Sequence, residues 1–476
     1  MKKVFRFKRG VVSPHTQDEP PMATMLTYLP LYLPQDILDL IVDELGSYAE
    51  RHKPVALSTL ASCALVSQSI SARARGHLFS TICLRWKPYT STADARRDRN
   101  RALKHIMEAD TQFVSFVRTL GLSLDDDGWG TDDFSGVLTM LYSTPRSGLR
   151  SLRLVTSPSS LVPRLWWSDV EGAGRKAFIN LCLSGCLAEL VIHGPMKDSI
   201  LLLAKIPRGL VSMELCNVSF LSIGSGIGLD VGDGEGAKLE NLVVNQVSAA
   251  ALFADLEAGS ALRTRILAMM QGLKTLELER VHVWEDGRHF AFAVVLEQCA
   301  RSLRRLVWSV EPFQDHISTL LSHVPLSSFT ALRFLTFKIW TKDGFVPNVN
   351  TRHIFSAIQD SSLLSLEHIT FTIRLISTTS TPKTGTIDDL TDPVKGWSWG
   401  TLDAVLGRTT RYPSLVMVEI DLGNVGLDIG SRFVTEEAYA KEEARGHLEA
   451  LFPSIVARGV NLKISFEGIY FCSRHT

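Results

Sequence analysis

The feature that most constrains this chain is a six-residue pattern, apolar-x-x-apolar-x-apolar, that returns again and again in one register. It appears as Val117-x-x-Leu120-x-Leu122, Leu149-x-x-Leu152-x-Leu154, Leu187-x-x-Leu190-x-Ile192, Leu210-x-x-Met213-x-Leu215 and Leu239-x-x-Leu242-x-Val244. It continues as Leu273-x-x-Leu276-x-Leu278, Leu303-x-x-Leu306-x-Trp308, Leu332-x-x-Leu335-x-Phe337, Leu366-x-x-Ile369-x-Phe371 and Leu415-x-x-Val418-x-Ile420, and a last strand is expected through Leu462, Ile464 and Phe466. One such hexamer would mean nothing in a chain that is 45% hydrophobic. Self-similarity sustained over most of a sequence is the mark of stacked repeats.

The last two apolar positions of each hexamer alternate as a strand with one buried face does. Between hexamers, Ile354-Phe355-Ala357-Ile358 and Phe292-Val295-Leu296-Cys299 step at helical spacing. A strand and a helix per unit resembles the leucine-rich repeat. That resemblance implies parallel strands lining one side of a solenoid, with helices on its convex side. Unit starts such as Leu149, Leu187 and Leu210 lie 38 and 23 residues apart, so the period is irregular against the roughly 20–29 residues of regular repeats. The Asn that commonly follows each strand is mostly missing, as in Val155-Thr156-Ser157 and Glu279-Arg280-Val281. Turn-rich stretches starting at Gly224 and at Ile376 break the order, and mobile surface loops are expected there. The segment EEAYAKEEARGHLEALFPSIVARGVNLKISF, residues 436–466, resembles the closing unit often seen at the end of fungal F-box proteins, and a cap is expected at about 432–476. Leu451-Phe452-Pro453 is read there as a helix end and Arg458-Gly459 as a turn into the last strand.

Ahead of the array, residues 29–84 read as a helical module. Leu33, Ile37, Leu40, Ile41 and Leu45 fall along one helical face, with Pro34 in the first turn and Gly46 at the stop. A charged connection follows, SYAERHKPVA, then a second stripe of Leu60, Cys63, Ala64, Val66 and Ser67 and a third of Ile70, Ala74, Leu78 and Phe79. The run Leu33-Pro34-x-Asp36-Ile37, with Ile41 and Leu45, then Leu60-x-x-Cys63-Ala64-Leu65-Val66-Ser67, Arg73 and Leu78-Phe79, resembles the F-box of many fungal proteins. It covers about a tenth of the 476 residues. Ile70 stands where many F-boxes carry an aromatic, and the first connection is long.

The resemblance implies a three-helix unit that docks on the Skp-type adaptor of a cullin-RING ubiquitin ligase through Leu33, Pro34, Ile37, Ile41, Leu45, Leu65, Val66, Ser67 and Ile70. The apolar face by itself equally fits the end cap that a repeat array needs.

Lys plus Arg and Asp plus Glu both number 50, so no net field draws the chain to nucleic acid or to an anionic membrane. No run of about 18 uncharged apolar residues suggests a spanning helix. Seven scattered cysteines fit buried thiols in a reducing compartment, hence a cytoplasmic or nuclear location. Residues 1–28 are basic and then proline-containing, and a disordered tail is expected.

Chemistry-bearing motifs are sparse. Gly224-x-Gly226-x-Gly228 and Gly232-x-Gly234-x-Gly236 lack the spacing and the Lys-Ser or Lys-Thr pair of a phosphate loop. Ile223 stands where the nucleophile elbow around Ser225 needs a glycine. Cys182 and Cys186 have no second ligand pair and fit an apolar helix face, and His193, His282, His323 and His368 stand apart, so no metal, cofactor or catalytic residue is assigned.

Positions alternating with the buried ones carry Arg153, Glu189, Glu214, Asn241, Glu277, Glu279, Arg305, Lys338, His368, Glu419 and Asp421. Such a mixture suits a polar protein surface better than a nucleic-acid groove. The expected function is non-catalytic: a substrate-recognition adaptor of a Skp-cullin-F-box ligase. Its protein substrate, of unknown identity, would meet Arg153, Glu214, Glu277, Arg305 and Glu419. The alternative is a ligase-independent scaffold built on the same array.

Overall fold

The computed structural model describes residues 34–50, 54–84, 93–123, 131–155, 172–194, 209–218, 238–245, 248, 261–281, 289–310, 324–342, 349–376, 397–423, 426–427, 442, 445–467 and 470–471. Leu33, the expected tail at 1–28, the glycine-dense stretch 224–237 and the stretch 377–396 lie outside these residues. The chain divides into two units, residues 1–74 and 75–476.

The larger unit is α/β and is organised by one parallel sheet. Its strands are β1 (Thr81–Leu84), β2 (Thr119–Ser123), β3 (Ser151–Val155), β4 (Glu189–His193), β5 (Ser212–Cys216), β6 (Asn241–Asn245) and β7 (Thr275–Val281). They continue as β8 (Arg305–Val310), β9 (Phe334–Lys342), β10 (His368–Ile376), β11 (Met417–Gly423) and β13 (Asn461–Glu467), which makes twelve strands in chain order. A separate two-stranded parallel pair joins β12 (Gly426–Leu427) to β14 (Tyr470–Phe471). Every hexamer of the sequence supplies one strand, and each hexamer pairs with the next in constant register, Leu152 with Leu190, Leu190 with Met213, Met213 with Leu242. Strand β1, expected as part of the helical module, pairs instead with β2, and the β12–β14 pair adds strands that no hexamer marks.

Register is fixed where each strand begins. The carbonyl of the second hexamer residue accepts two consecutive N–H groups from the next unit: Arg150 O from Ala188 and Glu189 at 2.8 and 2.9 Å, Ala188 O from Val211 and Ser212 at the same distances. The arrangement repeats from Ser80 O to Glu367 O, so a buried backbone that would otherwise lose water keeps its partners. Glu240 and Lys274, at this same position in adjacent units, form an ion pair of 2.5 Å, and Arg333 pairs with Glu367 likewise.

The first apolar residue of each hexamer plugs the stack. Leu149, Leu187, Leu210, Leu239, Leu273, Leu303, Leu332 and Leu366 are all buried, alongside the inward strand residues. Gly148 precedes one of them because a side chain there would put its Cβ 2.3 Å from the carbonyl oxygen of Ser115.

Helices cover this face. They include Ala93–Ala109, Asp132–Ser143, Ala173–Leu183, Ala261–Met270, His289–Cys299, Val349–Asp360 and Trp399–Leu406. Buried Phe178, Ile266, Leu296, Ile354 and Leu402 join the strand residues in one core. Near the last strands the core is aromatic: Trp397 and Trp399 stack at 5.0 Å, and Trp399 meets Phe355, Phe371 and Phe452.

One local expectation holds with an addition and one needs correction. The helix of residues 445–449 ends at Leu451-Phe452 as expected, with the Phe452 N–H on Glu449 O at 3.0 Å, and Pro453 opens a further helix, Pro453–Ala457, where its missing N–H costs nothing. Gly459, at φ 79°, makes the expected turn into β13. Cys182 is buried in its helix, whereas Cys186 lies past the helix end, with its Sγ 2.8 Å from Ser184 Oγ.

The smaller unit carries α1 (Gln35–Glu50), α2 (Pro54–Val66) and the first residues of α3 (Gln68–Leu78). Gly46 does not stop α1, which absorbs four of the ten residues of the expected connection, while α2 absorbs three more. Pro34 sits just before the helix, and its carbonyl accepts the N–H of Ile37 at 3.0 Å and of Leu38 at 3.2 Å.

Candidate binding surfaces

The expected single apolar stripe of α1 is two stripes. At 3.6 residues per turn, Leu38, Val42, Leu45 and Gly46 share one side and Ile37, Leu40, Ile41 and Tyr48 another. The first side turns inward, with Val42 and Gly46 buried and Leu38 and Leu45 half-buried, and α1 packs on α2, where Ala56 and Leu60 are buried. The second side is exposed: Ile37 is 41% and Ile41 47% accessible. A third side carries Asp39 and Asp43, both bonded to Arg73 of α3. Arg73 Nη1 donates to Asp39 Oδ2 at 2.6 Å and Nε to Asp43 Oδ1 at 2.7 Å.

On α2, Leu65 and Val66 are 87% and 72% accessible. Ser67, also exposed, has a local role: its Oγ accepts the N–H of Ile70 at 3.4 Å and its carbonyl that of Ser71 at 2.8 Å, so it caps α3. Ile70 is half-buried. Of the nine residues expected to dock an adaptor, Leu33 lies outside the described residues. Pro34, Ile37, Ile41, Leu65, Val66 and Ser67 are exposed, and Leu45 and Ile70 are partly turned inward.

The second surface is the face of the sheet away from the helices. Arg153, Glu214, Glu277, Glu419 and Lys463 are aligned here with Gly121, Val191, Val243, Val307, Thr336 and Thr370 as the third residue of their strands. Arg305 is exposed at the start of β8. None of the other four expected substrate residues stands alone. Arg153 is 3.9 Å from Glu189 and Glu419 2.5 Å from Lys463. Glu277 pairs with Lys338, which also lies 4.0 Å from Glu279, and His193 Nε2 donates to Glu214 Oε1 at 2.6 Å. Arg374 and Asp421 add a pair of 2.8 Å. Each pair links neighbouring or next-neighbouring strands, so the face is a lattice of cross-strand ion pairs rather than a row of free charges.

His193 is therefore not isolated as the sequence suggests. It is aligned with Cys216 across the β4–β5 ladder, and Glu214 lies two residues earlier on the same face of β5. A ring nitrogen of His193, a carboxylate oxygen of Glu214 and Cys216 Sγ all lie within 4.8 Å of one another. Burial pushes the Cys216 thiol up to about 12, with the charges of Glu214, Glu279 and Glu277 adding to the effect.

Beside this cluster Asn217, in the left-handed region at φ 59°, donates its N–H to Asn245 Oδ1 at 2.9 Å. Asn245 Nδ2 donates to Asn217 Oδ1 at 2.6 Å, and Ser248 Oγ accepts the N–H of Val218 at 2.9 Å. The signal for these contacts was present in the hexamers: His193 and Cys216 each stand six residues after the leading apolar residue, Leu187 and Leu210.

The chain matches no protein-family model and no curated protein sequence. No helix among the described residues is long and apolar enough to cross a membrane.

Proposed function

We propose that the protein is the substrate-recognition subunit of a Skp-cullin-F-box ubiquitin ligase. In this reading residues 34–74 dock on a Skp-type adaptor and the polar sheet face receives a protein substrate. The observation that carries the reading is the outward stripe of Ile37, Leu40 and Ile41 on α1, together with Leu65 and Val66 on α2: five aliphatic side chains left in water by a unit that already has its own inward stripe. Large aliphatic side chains exposed in such number on so small a unit point to an interaction site. Full burial of each side chain against a partner is worth about 1.5–3 kcal/mol.

The role of the larger unit is to hold a substrate near a ligase whose active site is elsewhere, which raises effective concentration without bond chemistry. A face made of paired charges suits a protein partner, because such a lattice sets register and excludes partners of mismatched charge. The test is capture of a purified Skp-type adaptor by the full-length chain, compared with an Ile41→Asp, Leu65→Asp double variant. Both side chains are exposed, so folding should be unaffected and adaptor capture lost. Equal capture by the variant would remove the basis for the reading.

A further inference from the structure

The cluster at the ends of β4 and β5 is unlike the rest of the sheet face. Elsewhere a carboxylate meets Lys or Arg; here one carboxylate meets an imidazole and a thiol. We propose that His193 Nε2, Glu214 Oε1 and Cys216 Sγ form a site for one borderline-soft divalent transition-metal ion of the zinc type, an inference that does not depend on the ligase reading.

The geometry fits with small side-chain rotations. Bonds of about 2.0–2.2 Å to nitrogen and oxygen and about 2.3 Å to sulfur place tetrahedral ligand atoms roughly 3.3–3.8 Å apart. A ring nitrogen of His193, a Glu214 carboxylate oxygen and Cys216 Sγ already lie within 4.8 Å of one another, and Nε2 and Oε1, at 2.6 Å, must open by under about 1 Å. Their backbones are held by the sheet: His193 and Cys216 are ladder partners, and Gly194 N–H donates to Cys216 O at 2.7 Å. Asn217 follows in a turn tied to Asn245.

The donor set selects the ion. Calcium and magnesium take oxygen ligands, whereas imidazole and thiolate favour zinc and its neighbours. Glu277 and Glu279 act on Cys216 and add negative potential. All three ligands are partly exposed, which leaves a fourth vertex for water.

Binding replaces the proton shared between His193 Nε2 and Glu214 Oε1 with the metal, and that imidazole proton passes through water to Nδ1. The Cys216 thiol releases its proton to solvent, because the thiolate is the ligand. No oxidation state changes.

The experiment uses the full-length chain, stripped by chelator and titrated with Co2+ alone and then Zn2+. The expected result is one equivalent of cobalt bound, with a near-ultraviolet sulfur-to-cobalt charge-transfer band and the intense visible bands of tetrahedral Co2+, reversed by one equivalent of Zn2+. Cys216→Ser should abolish the charge-transfer band, and His193→Gln should weaken Zn2+ by at least about 100-fold, more than loss of a supporting residue costs. In the parent chain Zn2+ should protect Cys216 from alkylation, read peptide by peptide, so the site is tested even if a variant fails to fold. No stoichiometric binding at micromolar metal, a charge-transfer band that survives Cys216→Ser, or alkylation of Cys216 unaffected by Zn2+ would each overturn the proposal.

Discussion

Arg73 of α3 grips Asp43 of α1 with two nitrogens at once, its Nε 2.7 Å from Oδ1 and its Nη2 on Oδ2, while Nη1 reaches Asp39. A bidentate pair of this kind holds direction as well as distance, which an exposed pair with a single contact does not. The two carboxylates hold the guanidinium still more firmly in its charged form than usual. The relationship places the outward stripe of α1: Asp39 and Asp43 lie on another side of the helix, so their fixation sets its rotation about its own axis and with it which way Ile37 and Ile41 face.

The first prediction is that Arg73→Ala loosens this small unit alone. Amide exchange in residues 35–50 should speed up markedly, while the strands of the sheet keep their protection. Arg73→Lys should restore only part of the protection, because an ammonium lacks the planar fork. Unchanged exchange in α1 would show that the pairs are incidental.

The second concerns Asp403, a buried carboxylate whose Oδ2 accepts the N–H of Ser454 at 3.0 Å and Oδ1 that of Ile455 at 2.9 Å. The helix Pro453–Ala457 has no capping side chain of its own at Phe452, so Asp403 satisfies its first-turn donors from the preceding unit. Asp403→Ala should cost about 3 kcal/mol, since it strips two charge-assisted bonds from buried donors. Asp403→Asn should cost less. Denaturant midpoints measured side by side decide the order.

Buried thiols and a buried phenol give the third. Burial pushes Cys299 up to about 12 and drives Cys182 and Tyr412 in the same direction. Groups whose pKa is raised by folding contribute stability that is whole below their unfolded values, about 8.5 for Cys and 10 for Tyr, and that is lost as pH climbs toward the folded ones. Chemical denaturation from pH 7 to 10.5 should show stability flat and then falling. Cys182 and Cys299 should resist alkylation at pH 8, where exposed Cys83 reacts. A rise in stability above pH 9 would contradict this.

Much of the larger unit was legible in the sequence because the strand signal is local and repeated: three apolar positions per unit, in one register, are enough to place eleven of the twelve sheet strands. The remaining strand, β1, is four residues long and follows the same hexamer, Phe79-x-x-Ile82-x-Leu84, but Phe79 falls on the helical stripe of Ile70, Ala74 and Leu78 and so reads as part of the third helix. In α1 the pattern misled because inward and outward residues are both aliphatic, and a stripe drawn through Ile37, Ile41 and Leu45 mixes the two sides. Only packing against α2 separates Val42 from Ile41.

The candidate surfaces were legible as positions but not as contacts. The alternation put Glu214 and Glu277 on the outer face, yet their partners His193 and Lys338 lie 21 and 61 residues away. Such pairings emerge only when the hexamers are aligned on one another and read across the stack, which also brings His193 beside Cys216.

The docking proposed for the outward stripe of α1, with Leu65 and Val66 of α2, on a Skp-type adaptor is open to a binding measurement. Isothermal titration of the full-length chain with that adaptor tests it most directly. A one-to-one complex is expected, with an affinity that falls by at least about 100-fold in the Ile41→Asp, Leu65→Asp variant, the loss of roughly 3 kcal/mol expected when two buried aliphatic contacts are removed. A parent chain that gives no heat and no complex at adaptor concentrations of about 100 μM, far above the micromolar range of specific partners, would contradict it.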